Sequence, residues 1–455
     1  MTDSLSEQTT LEARELDRFL EQGPYTGYCY SYPHKTAWRD LPARALADVW
    51  NDEAQDGLFL YLHVPFCEFR CGFCNLFTLS QPDVELPQVW LSAFDRQAKM
   101  VREQLPNANV GQMAIGGGTP TYLNPAELEK LFGTIEEHLS NDGPRIPVSM
   151  EVSPATVDAD RLRLMKQFGV DRVSMGVQSF DGKDLGAMGR PQKLPQVFSA
   201  IDEIHKLDFP ILNLDLIYGA DGQTEASWLE SVRKVVRCNA DEIYLYPLYV
   251  RELTGLRNRG SQGTLQDQHR LDLYRIGRDL LLEEGYEQVS MRMFRRPVLQ
   301  SFHKSDYRCQ EDGMLGLGCG ARSYTSKLHY GSKYGVRQKA IGRIIQDYVE
   351  QTDEDFAQIR FGFELDEAET RRRHVILSLF LKDGLCLLEY RQRFGADLMD
   401  DFAELSGLLD RQLATLRDNR LCLSEDGLAW SDTIGPWLYS ANVQQRMEDY
   451  AWKDA

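Results

Sequence analysis

The sequence has no apolar run long enough to cross a bilayer and no excess of basic residues. A membrane-spanning helix needs about 20 consecutive, predominantly apolar residues, and no uncharged apolar stretch here approaches that length. Lysine and arginine total 51 against 69 aspartate and glutamate residues, so the 455-residue chain has a formal net charge of −18. Nonspecific nucleic-acid binding and attraction to an anionic membrane surface both require clustered basic side chains. We therefore expect no nucleic-acid and no membrane partner.

The sequence also lacks the marks of secretion. Residues 1–8 have neither the basic n-region nor the apolar h-region of a signal peptide. Six of the nine cysteines are scattered singly, at positions 29, 238, 309, 319, 386 and 422. This usage is typical of reduced, intracellular proteins, and we expect a cytoplasmic location. There are no internal repeats or low-complexity segments, and a chain of this length predicts more than one globular domain.

The other three cysteines, Cys67, Cys71 and Cys74, lie in one short loop with C-x3-C-x2-C spacing. Three such thiolates can each bind one iron of a [4Fe–4S] cluster, which leaves the fourth iron without a protein ligand. An open coordination position distinguishes a reactive metal site from a structural one. The alternative is a structural zinc site formed by the same cysteines and the nearby His63.

Strand-like apolar runs alternate with amphipathic helical stretches from residue 58 to about 295. Strands are predicted at 58–64, 112–116, 147–152, 172–177, 211–217 and 242–248, and helices at 89–104, 125–139, 159–168, 194–207 and 225–238. This alternation predicts an α/β fold of parallel βα units, in which chemistry gathers at the carboxyl ends of the strands. The pattern leaves open whether the units form a partial barrel or an open, doubly wound sheet.

We predict four segments along the chain. Residues 1–55 form an N-terminal extension, with a weakly amphipathic stretch at 11–20 and an aromatic, turn-rich strap at 23–33 that either packs on a larger domain or covers a site. Residues 56–295 hold the βα units, and 296–364 form a connecting segment with the sequence LGLGCGARSY at 315–324. Residues 365–455 form a small domain, predicted as helices at 367–381, 387–394 and 398–419 and a strand at 421–424.

The cysteine loop, with its H-x-P-F-C start at 63–67, resembles radical S-adenosylmethionine (SAM) enzymes. It is similar to the branch that contains oxygen-independent coproporphyrinogen III oxidase, haem chaperone-like proteins and class C radical SAM methyltransferases. The resemblance runs from about Leu58 into the C-terminal region. It implies a partial (β/α)6 barrel with a small, mainly helical α+β C-terminal domain. It also implies a [4Fe–4S] cluster on the three loop cysteines and SAM as the second cofactor.

The resemblance assigns further residues to SAM. The GGGTP sequence at 116–120 matches a motif whose backbone binds the SAM amino group. Arg190 would bind the SAM carboxylate, for which a guanidinium is well suited, and Asp215 would hold ribose hydroxyls. The implied SAM-binding residues are Tyr61, Phe73, Gly117, Gly118, Thr119, Glu151, Gln178, Arg190, Asp215 and Gly318. Cys309 and Cys319 are candidate catalytic thiols, and inert buried cysteine is the alternative for both.

The activity that the resemblance implies is reductive cleavage of SAM to a 5′-deoxyadenosyl radical, which abstracts hydrogen from an organic, tetrapyrrole-related or other small-molecule substrate. A flavodoxin-like or ferredoxin-like electron donor is the implied partner. Two alternatives stay open, a class C methyltransferase that uses two SAM molecules and a cluster-containing haem chaperone. The H-N-x-x-Y-W stretch of the chaperone-like relatives is replaced at 305–314, and no further cysteine stands at 75–76. The missing H-N-x-x-Y-W stretch speaks against the chaperone. Departures at 296–319, in the N-terminal strap and at 75–76 lead us to expect a substrate other than coproporphyrinogen III.

Overall fold

The computed structural model describes residues 15–140, 145–258, 266–298, 310–311 and 313–451. The chain divides into two compact units. The larger is built from described residues within Trp38–Leu265 and Val298–Glu364, and the smaller from those within Met1–Ala37, Gln266–Pro297 and Leu365–Tyr450. The four segments predicted from the sequence have boundaries after residues 55, 295 and 364. That division of the chain into four segments stays a prediction.

Six parallel strands form the centre of the larger unit. They are β1 (Leu58–Val64), β2 (Val110–Gly117), β3 (Val148–Val152), β4 (Arg172–Gln178), β5 (Ile211–Tyr218) and β6 (Glu242–Pro247), paired in that order. The helices among them are Leu86–Gln104, Pro125–His138, Ala159–Phe168, Gly182–Ala187, Leu194–Lys206 and Glu225–Arg237, and Gly255–Asn258 follows β6. All six strands agree with the prediction within three residues at either end. The predicted α/β fold with parallel βα units is confirmed.

The sheet continues beyond β1. Met314–Leu317 pairs with β1 in parallel, and Arg322–Tyr324, Leu328–Gly331, Gln358–Glu364 and Arg39–Ala45 follow in antiparallel order. Helices Leu46–Trp50, Gln338–Val349 and Asp353–Phe356 belong to the same unit. The described part of the predicted connecting segment thus supplies four strands of the sheet and two helices. Most of its strands have only three or four residues, too few for the alternation on which strand prediction depends.

The two faces of the parallel strands differ in chemistry. On one face, apolar side chains such as Leu60, Met150, Val173 and Leu214 are fully buried. On the other, polar side chains occupy alternate positions and several are partly accessible, among them Tyr61, Glu151, Arg172, Asp215 and Tyr244. Parallel sheets are usually apolar on both faces because helices cover both. A polar face at the centre of this sheet therefore indicates where a ligand binds.

The smaller unit is mainly helical. Its helices are Asp267–Glu283, Glu367–Leu379, Leu387–Phe394, Leu398–Asp401, Ser406–Asp410, Glu425–Ala429, Ser431–Trp437 and Ala441–Glu448. Glu287–Gln288 and Met293–Arg295 pair with each other, and Leu385–Cys386, Arg420–Leu423 and Ala414–Arg417 form a three-stranded sheet. No helix in the described part of the chain has both the length and the apolar character needed to cross a membrane.

The predicted helix at 398–419 is wrong. The chain forms two short helices there, ending at Asp410, and then the strand Ala414–Arg417. Gln412, Asp418 and Asn419 have φ values of 58°, 48° and 57°. A right-handed helix cannot pass through residues in the left-handed region, so the segment turns at 412 and again at the tip of the hairpin.

The predicted N-terminal extension is divided between the two units: its described residues up to Ala37 belong to the smaller unit, and those from Trp38 onward belong to the larger. Residues 15–20 are helical, and the rest of the predicted 11–20 stretch lies outside the described residues. In the strap, the Thr26 hydroxyl and the Gly27 N–H both donate to the Asp432 carbonyl at 2.9 Å, and the Thr433 hydroxyl donates to the Gly23 carbonyl at 2.5 Å. The strap is thus fastened to the helix Ser431–Trp437.

Candidate active site

The cysteine loop follows β1 and is held in place by two other parts of the larger unit. The Gly72 N–H donates to the Gly189 carbonyl at 3.1 Å, and the Gly72 carbonyl accepts from the Leu256 N–H at 2.8 Å. A β-carbon at position 72 would lie 2.7 Å from the Met188 carbonyl oxygen, so this close approach requires glycine. The loop therefore sits between the segments that follow β4 and β6, at the carboxyl end of the strands.

The three loop cysteines are free, partly buried thiols. The pKa of Cys67 is raised to about 12 and that of Cys74 to about 11, mainly by desolvation and in part by the negative charge of a neighbouring loop thiolate, Cys74 for Cys67 and Cys71 for Cys74. The three sulfurs are therefore within electrostatic range of one another. Iron binding would displace their protons, since the thiolate is the metal-binding form.

His63 does not complete a zinc site. Its Nε2 lies 2.8 Å from the Phe77 carbonyl oxygen and its Nδ1 lies 3.4 Å from the Tyr61 hydroxyl, so both ring nitrogens face partners within the protein. Among the described residues, no three His, Cys, Asp or Glu side chains are grouped closely enough to hold one metal ion. A cluster that takes one thiolate per iron does not require such a group. The donor set thus fits a [4Fe–4S] cluster better than a single zinc ion.

Arg190 joins the end of β4 to the cysteine loop. Its Nη1 donates to the Cys71 sulfur at 3.0 Å, its Nη2 to the Gly176 carbonyl at 2.6 Å, and its Nε to the Gln192 side-chain oxygen at 2.9 Å. The guanidinium is therefore fixed in orientation by three acceptors. The residue that the sequence assigned to the SAM carboxylate thus lies against a cluster-loop thiol.

Gln178 ends β4 with an unusual backbone. Its φ is +69°, although it is a buried residue other than glycine. The pairing of β4 with β5 is irregular between Gly176 and Gln178. Such irregularities redirect a side chain and cluster next to active sites. The backbone geometry at Gln178 is thus consistent with its predicted role at the site, which stays a prediction.

Glu151 reaches from β3 to the glycine loop after β2. Its Oε2 accepts from the Gly117 N–H at 3.1 Å, and a β-carbon at position 116 would lie 2.9 Å from its carboxyl carbon. Desolvation by the surrounding protein raises the pKa of Glu151 to about 7, and the negative charge of Asp215 adds to the effect. The side chain is nevertheless accessible from the polar face, where a cation could bind it.

The same glycine loop is bound to the cysteine loop. The Gly118 N–H donates to the Val64 carbonyl at 2.8 Å, and the Thr119 N–H donates to the Phe66 carbonyl at 2.7 Å. The Thr119 hydroxyl lies 2.9 Å from the Cys67 sulfur. An ammonium group only donates hydrogen bonds, so a ligand amino group at this loop would bind carbonyl oxygens.

Asp215 lies two residues after Asn213 on β5, so both side chains are on the polar face. Its Oδ1 accepts from the Asn213 Nδ2 at 2.8 Å, and this Nδ2 also donates to the Ser174 hydroxyl at 2.8 Å. Desolvation raises the pKa of Asp215 to about 6, against the opposing effects of Asn213 and Arg172. The Asn213 Oδ1 is buried and has no hydrogen-bond partner among the described residues.

Other predicted residues have packing roles. Phe73 packs against an apolar cluster that includes Leu185, Met188 and Leu256. The Gly318 N–H donates to the Gln97 side chain at 2.8 Å, and a β-carbon there would lie 2.5 Å from the His63 carbonyl oxygen.

The structure assigns no catalytic role to the two candidate thiols. Cys319 is buried, and desolvation raises its pKa to about 12. Such a thiol is inert unless its proton is removed. Cys309 lies outside the described residues.

The structure brings one set of predicted residues together around the cysteine loop and the adjoining strand ends: Tyr61, Gly117, Gly118, Thr119, Glu151, Gln178, Arg190 and Asp215. Sequence reasoning missed Asn213, Arg172 and Glu242 beneath them. The signal was present at Asn213, because Asn213 and Asp215 alternate with apolar residues in I-L-N-L-D-L-I-Y. Two polar residues on one face of an otherwise apolar strand predict a shared function.

Comparison with known proteins gives consistent results. Residues 61–235 match the model of the Radical SAM superfamily, and residues 365–430 match the HemN C-terminal domain. An oxygen-independent coproporphyrinogen III oxidase of Synechocystis sp. is 30% identical over 373 residues, 77% of each chain. The heme chaperone HemW of Bacillus subtilis is 26% identical over 386 residues, 83% of this chain and 98% of that one.

The solved coproporphyrinogen III oxidase (HemN) of Escherichia coli has the same fold, with a TM-score of 0.74 and 24% identity over 86% of this chain and 92% of that chain. The fold and the cysteine loop are those of a radical SAM protein. Within that class, the chain belongs to the family of oxygen-independent coproporphyrinogen III oxidase and its HemW relatives. Membership implies a [4Fe–4S] cluster and SAM as cofactors, and it confirms the predicted partial barrel.

Proposed function

We propose that this protein is a radical SAM enzyme that cleaves SAM reductively and removes hydrogen from an organic, tetrapyrrole-related substrate. When bound, the reduced cluster and SAM supply a 5′-deoxyadenosyl radical, which can take a hydrogen atom from carbon. The observation that supports this most is the position of Arg190, whose guanidinium contacts both the Cys71 sulfur and the Gly176 carbonyl. A fixed cation between the cluster loop and a strand end can hold the carboxylate of SAM beside the cluster.

The other site residues divide the remaining tasks. Cys67, Cys71 and Cys74 would hold three irons of the cluster. Asp215, which accepts a hydrogen bond from the Asn213 Nδ2, would accept hydrogen bonds from the ribose hydroxyls. Glu151, beside the glycine loop, would bind the positive end of SAM, which carries an ammonium and a sulfonium group. In this arrangement the ligand covers the polar face of β3 to β5 and excludes water from the charges there.

The substrate that we propose is more specific than membership of the family implies. Tetrapyrrole chemistry is the subject of the relatives' names, coproporphyrinogen III oxidase and heme chaperone. We propose a substrate other than coproporphyrinogen III because the chain has no further cysteine at 75–76 and no obvious set of arginines and lysines for four propionates. Cofactor handling can persist on a fold while loops change the substrate. The methyl-transfer alternative gains no support from the relatives described above.

The test is anaerobic SAM turnover. Protein reconstituted with iron and sulfide is incubated with SAM and dithionite, and 5′-deoxyadenosine is measured by mass spectrometry. We expect its formation by the unaltered protein and its loss in Cys71→Ala. Absence of 5′-deoxyadenosine from cluster-loaded protein that binds SAM would refute the proposal.

A haem-binding role is the second candidate, because the match to the B. subtilis chaperone covers 98% of that protein. Anaerobic haem titration separates the two functions. A tight, stoichiometric Soret complex without SAM turnover would favour the chaperone. Turnover without such a complex favours the enzyme.

A further inference from the structure

A layer of polar side chains lies beneath Asp215 on the polar face of the sheet. It consists of Ser149, Arg172, Ser174, Asn213 and Glu242, from four neighbouring strands, and we call it the polar layer. Ser174, Asn213 and Glu242 are cross-strand partners, and Gly176, Asp215 and Tyr244 form the next row of partners. Asn213 is 1% exposed and Glu242 is 0% exposed. Ser174, Asn213 and Glu242 are therefore buried, whereas Ser149 and Arg172 are partly accessible.

Within the polar layer, Arg172 is held by two hydrogen bonds and Asn213 reaches Asp215. The Arg172 Nε donates to the Glu242 Oε2 at 2.6 Å, and the Arg172 Nη1 donates to the Ser149 hydroxyl at 3.0 Å. Asn213 connects the layer to the row above, since its Nδ2 bonds both the Ser174 hydroxyl and the Asp215 Oδ1 at 2.8 Å. One amide thus holds the Asp215 carboxylate from below.

Stability alone does not account for these residues. Burying charges is costly, and replacing a buried ion pair by well-packed apolar residues is often neutral or stabilising. Strands inside parallel sheets are usually runs of valine, isoleucine and leucine. The polar layer departs from that pattern directly beneath a carboxylate that faces the ligand site.

We infer that Asn213 is a positioning residue for SAM, which orients the Asp215 carboxylate through its side-chain amide, and that the charge of Arg172 favours the ionised carboxylate, the form that accepts hydrogen bonds from the ribose. The inference rests on the proposed function, since it concerns the same ligand. An ionised carboxylate only accepts hydrogen bonds, whereas a protonated one carries a donor of its own. The polar layer would thereby set the lower pH limit of SAM binding.

The groups around Asp215 have opposing effects on its pKa. Desolvation is the largest effect, and the pKa of Asp215 is raised to about 6. The charge of Glu242 also raises this pKa, whereas the hydrogen bond from Asn213 and the charges of Arg172 and Arg190 lower it. Glu151 also faces it from β3, because the charge of Asp215 raises the Glu151 pKa. Tyr244 is its cross-strand partner on β6. Removing Asn213 should therefore move the titration of Asp215 upward, and removing the charge of Glu242 should move it downward.

The experiment measures SAM affinity from pH 5.5 to 8.5, on cluster-loaded protein and again before reconstitution. We expect Asn213→Ala to weaken binding about three- to tenfold at pH 7 through loss of one hydrogen bond. We also expect the pH of half-maximal affinity to rise by about 0.5 to 1 unit, with recovery at pH 8.5. Glu242→Gln should move that pH in the opposite direction. Arg237→Ala, at an exposed ion pair with Glu230, is the control and should change affinity less than twofold at every pH.

Opposite shifts in Asn213→Ala and Glu242→Gln would support the inference, because general disruption of the fold cannot produce them. Equal losses at every pH in both variants, or an unchanged Asn213→Ala, would overturn it. Melting temperature and iron content, measured on each variant, identify any variant that fails to fold. Arg172→Lys keeps the charge of Arg172 and is used in place of such a variant. We expect it to weaken SAM affinity less than threefold. If the unaltered protein binds no SAM, the proposed function fails and not this inference alone.

Discussion

The guanidinium of Arg190 lies 3.0 Å from the sulfur of Cys71, across 119 residues of sequence. This contact places a cation from the segment after β4 beside a thiol of the loop after β1. The two residues come from separate βα units, and neither motif predicts the distance. The contact makes Arg190 the natural anchor for a ligand that must touch the cluster.

Loss of Arg190 should therefore weaken SAM binding. A charge-assisted hydrogen bond contributes about 1.5–3 kcal/mol, which corresponds to roughly a ten- to hundredfold change in affinity. Isothermal titration of Arg190→Ala against SAM would measure it. Arg237→Ala, at an exposed ion pair with Glu230, is the matched control and should bind SAM normally. Unchanged affinity in Arg190→Ala would place the SAM carboxylate elsewhere.

The cluster should depend on the three loop cysteines alone. Anaerobic reconstitution should yield about four irons per chain, and Cys67→Ala, Cys71→Ala or Cys74→Ala should each reduce iron content and the visible absorption of the cluster. Cys386→Ala, in the smaller unit, serves as the control. A full cluster with normal SAM cleavage in Cys67→Ala would remove that residue from the ligand set.

The glycine at position 118 should be essential for the site. A β-carbon there would lie 2.4 Å from the Phe66 carbonyl oxygen and 2.6 Å from the Thr78 hydroxyl, so Gly118→Ala must push the two loops apart. We expect poor cluster assembly, read as iron per chain. Gly133→Ala, inside the helix Pro125–His138 with nothing within 4 Å of the added carbon, should instead be neutral or stabilise by about 0.5–1 kcal/mol. Equal behaviour of the two variants would contradict the packing argument.

Glu151 should make the stability of the SAM-free protein depend on pH. Its folded-state pKa of about 7 exceeds the ordinary value of 4.5, so the folded state binds more protons between these values. The contribution is fully present below about pH 4.5 and is lost as pH rises through about 7. We expect an effect on the order of 1 kcal/mol, since solvent reaches the side chain and screens it.

Urea unfolding of the unaltered protein and Glu151→Gln at pH 5 and pH 8 would check this. The variant should gain relative stability at pH 8, where the carboxylate is charged. A relative gain at pH 5 instead would show that the sign is wrong.

The parallel core was predictable because its strands have a strong local signal. Each of the six runs is apolar, five to seven residues long by prediction, and separated by an amphipathic helix of ordinary length. The helix Ala159–Phe168 was predicted to the residue, because Asp158 caps its start and Gly169, with a φ of +103°, ends it. The failures lie where tertiary pairing decides, as at 313–364 and at the Asp418–Asn419 turn.

The residues expected to contact the cofactors were predictable from the sequence, but the residues that hold them in place were not. Cys71, Glu151 and Asp215 each stand in a motif that can be read along the chain. Arg172 and Glu242 lie 70 residues apart and pair only because β4, β5 and β6 are neighbours in the sheet. A single sequence carries no signal for that pairing. The engagement of both His63 ring nitrogens was likewise visible only in three dimensions.

The decisive measurement is anaerobic incubation of the cluster-loaded protein with SAM, dithionite and coproporphyrinogen III, with nucleoside and porphyrin products read together by mass spectrometry. We predict that 5′-deoxyadenosine forms while coproporphyrinogen III stays unchanged. Conversion to protoporphyrinogen IX would contradict the substrate proposal and assign the reaction named for the coproporphyrinogen III oxidases. Absence of 5′-deoxyadenosine from protein that retains its cluster and binds SAM would contradict the assignment as a radical SAM enzyme.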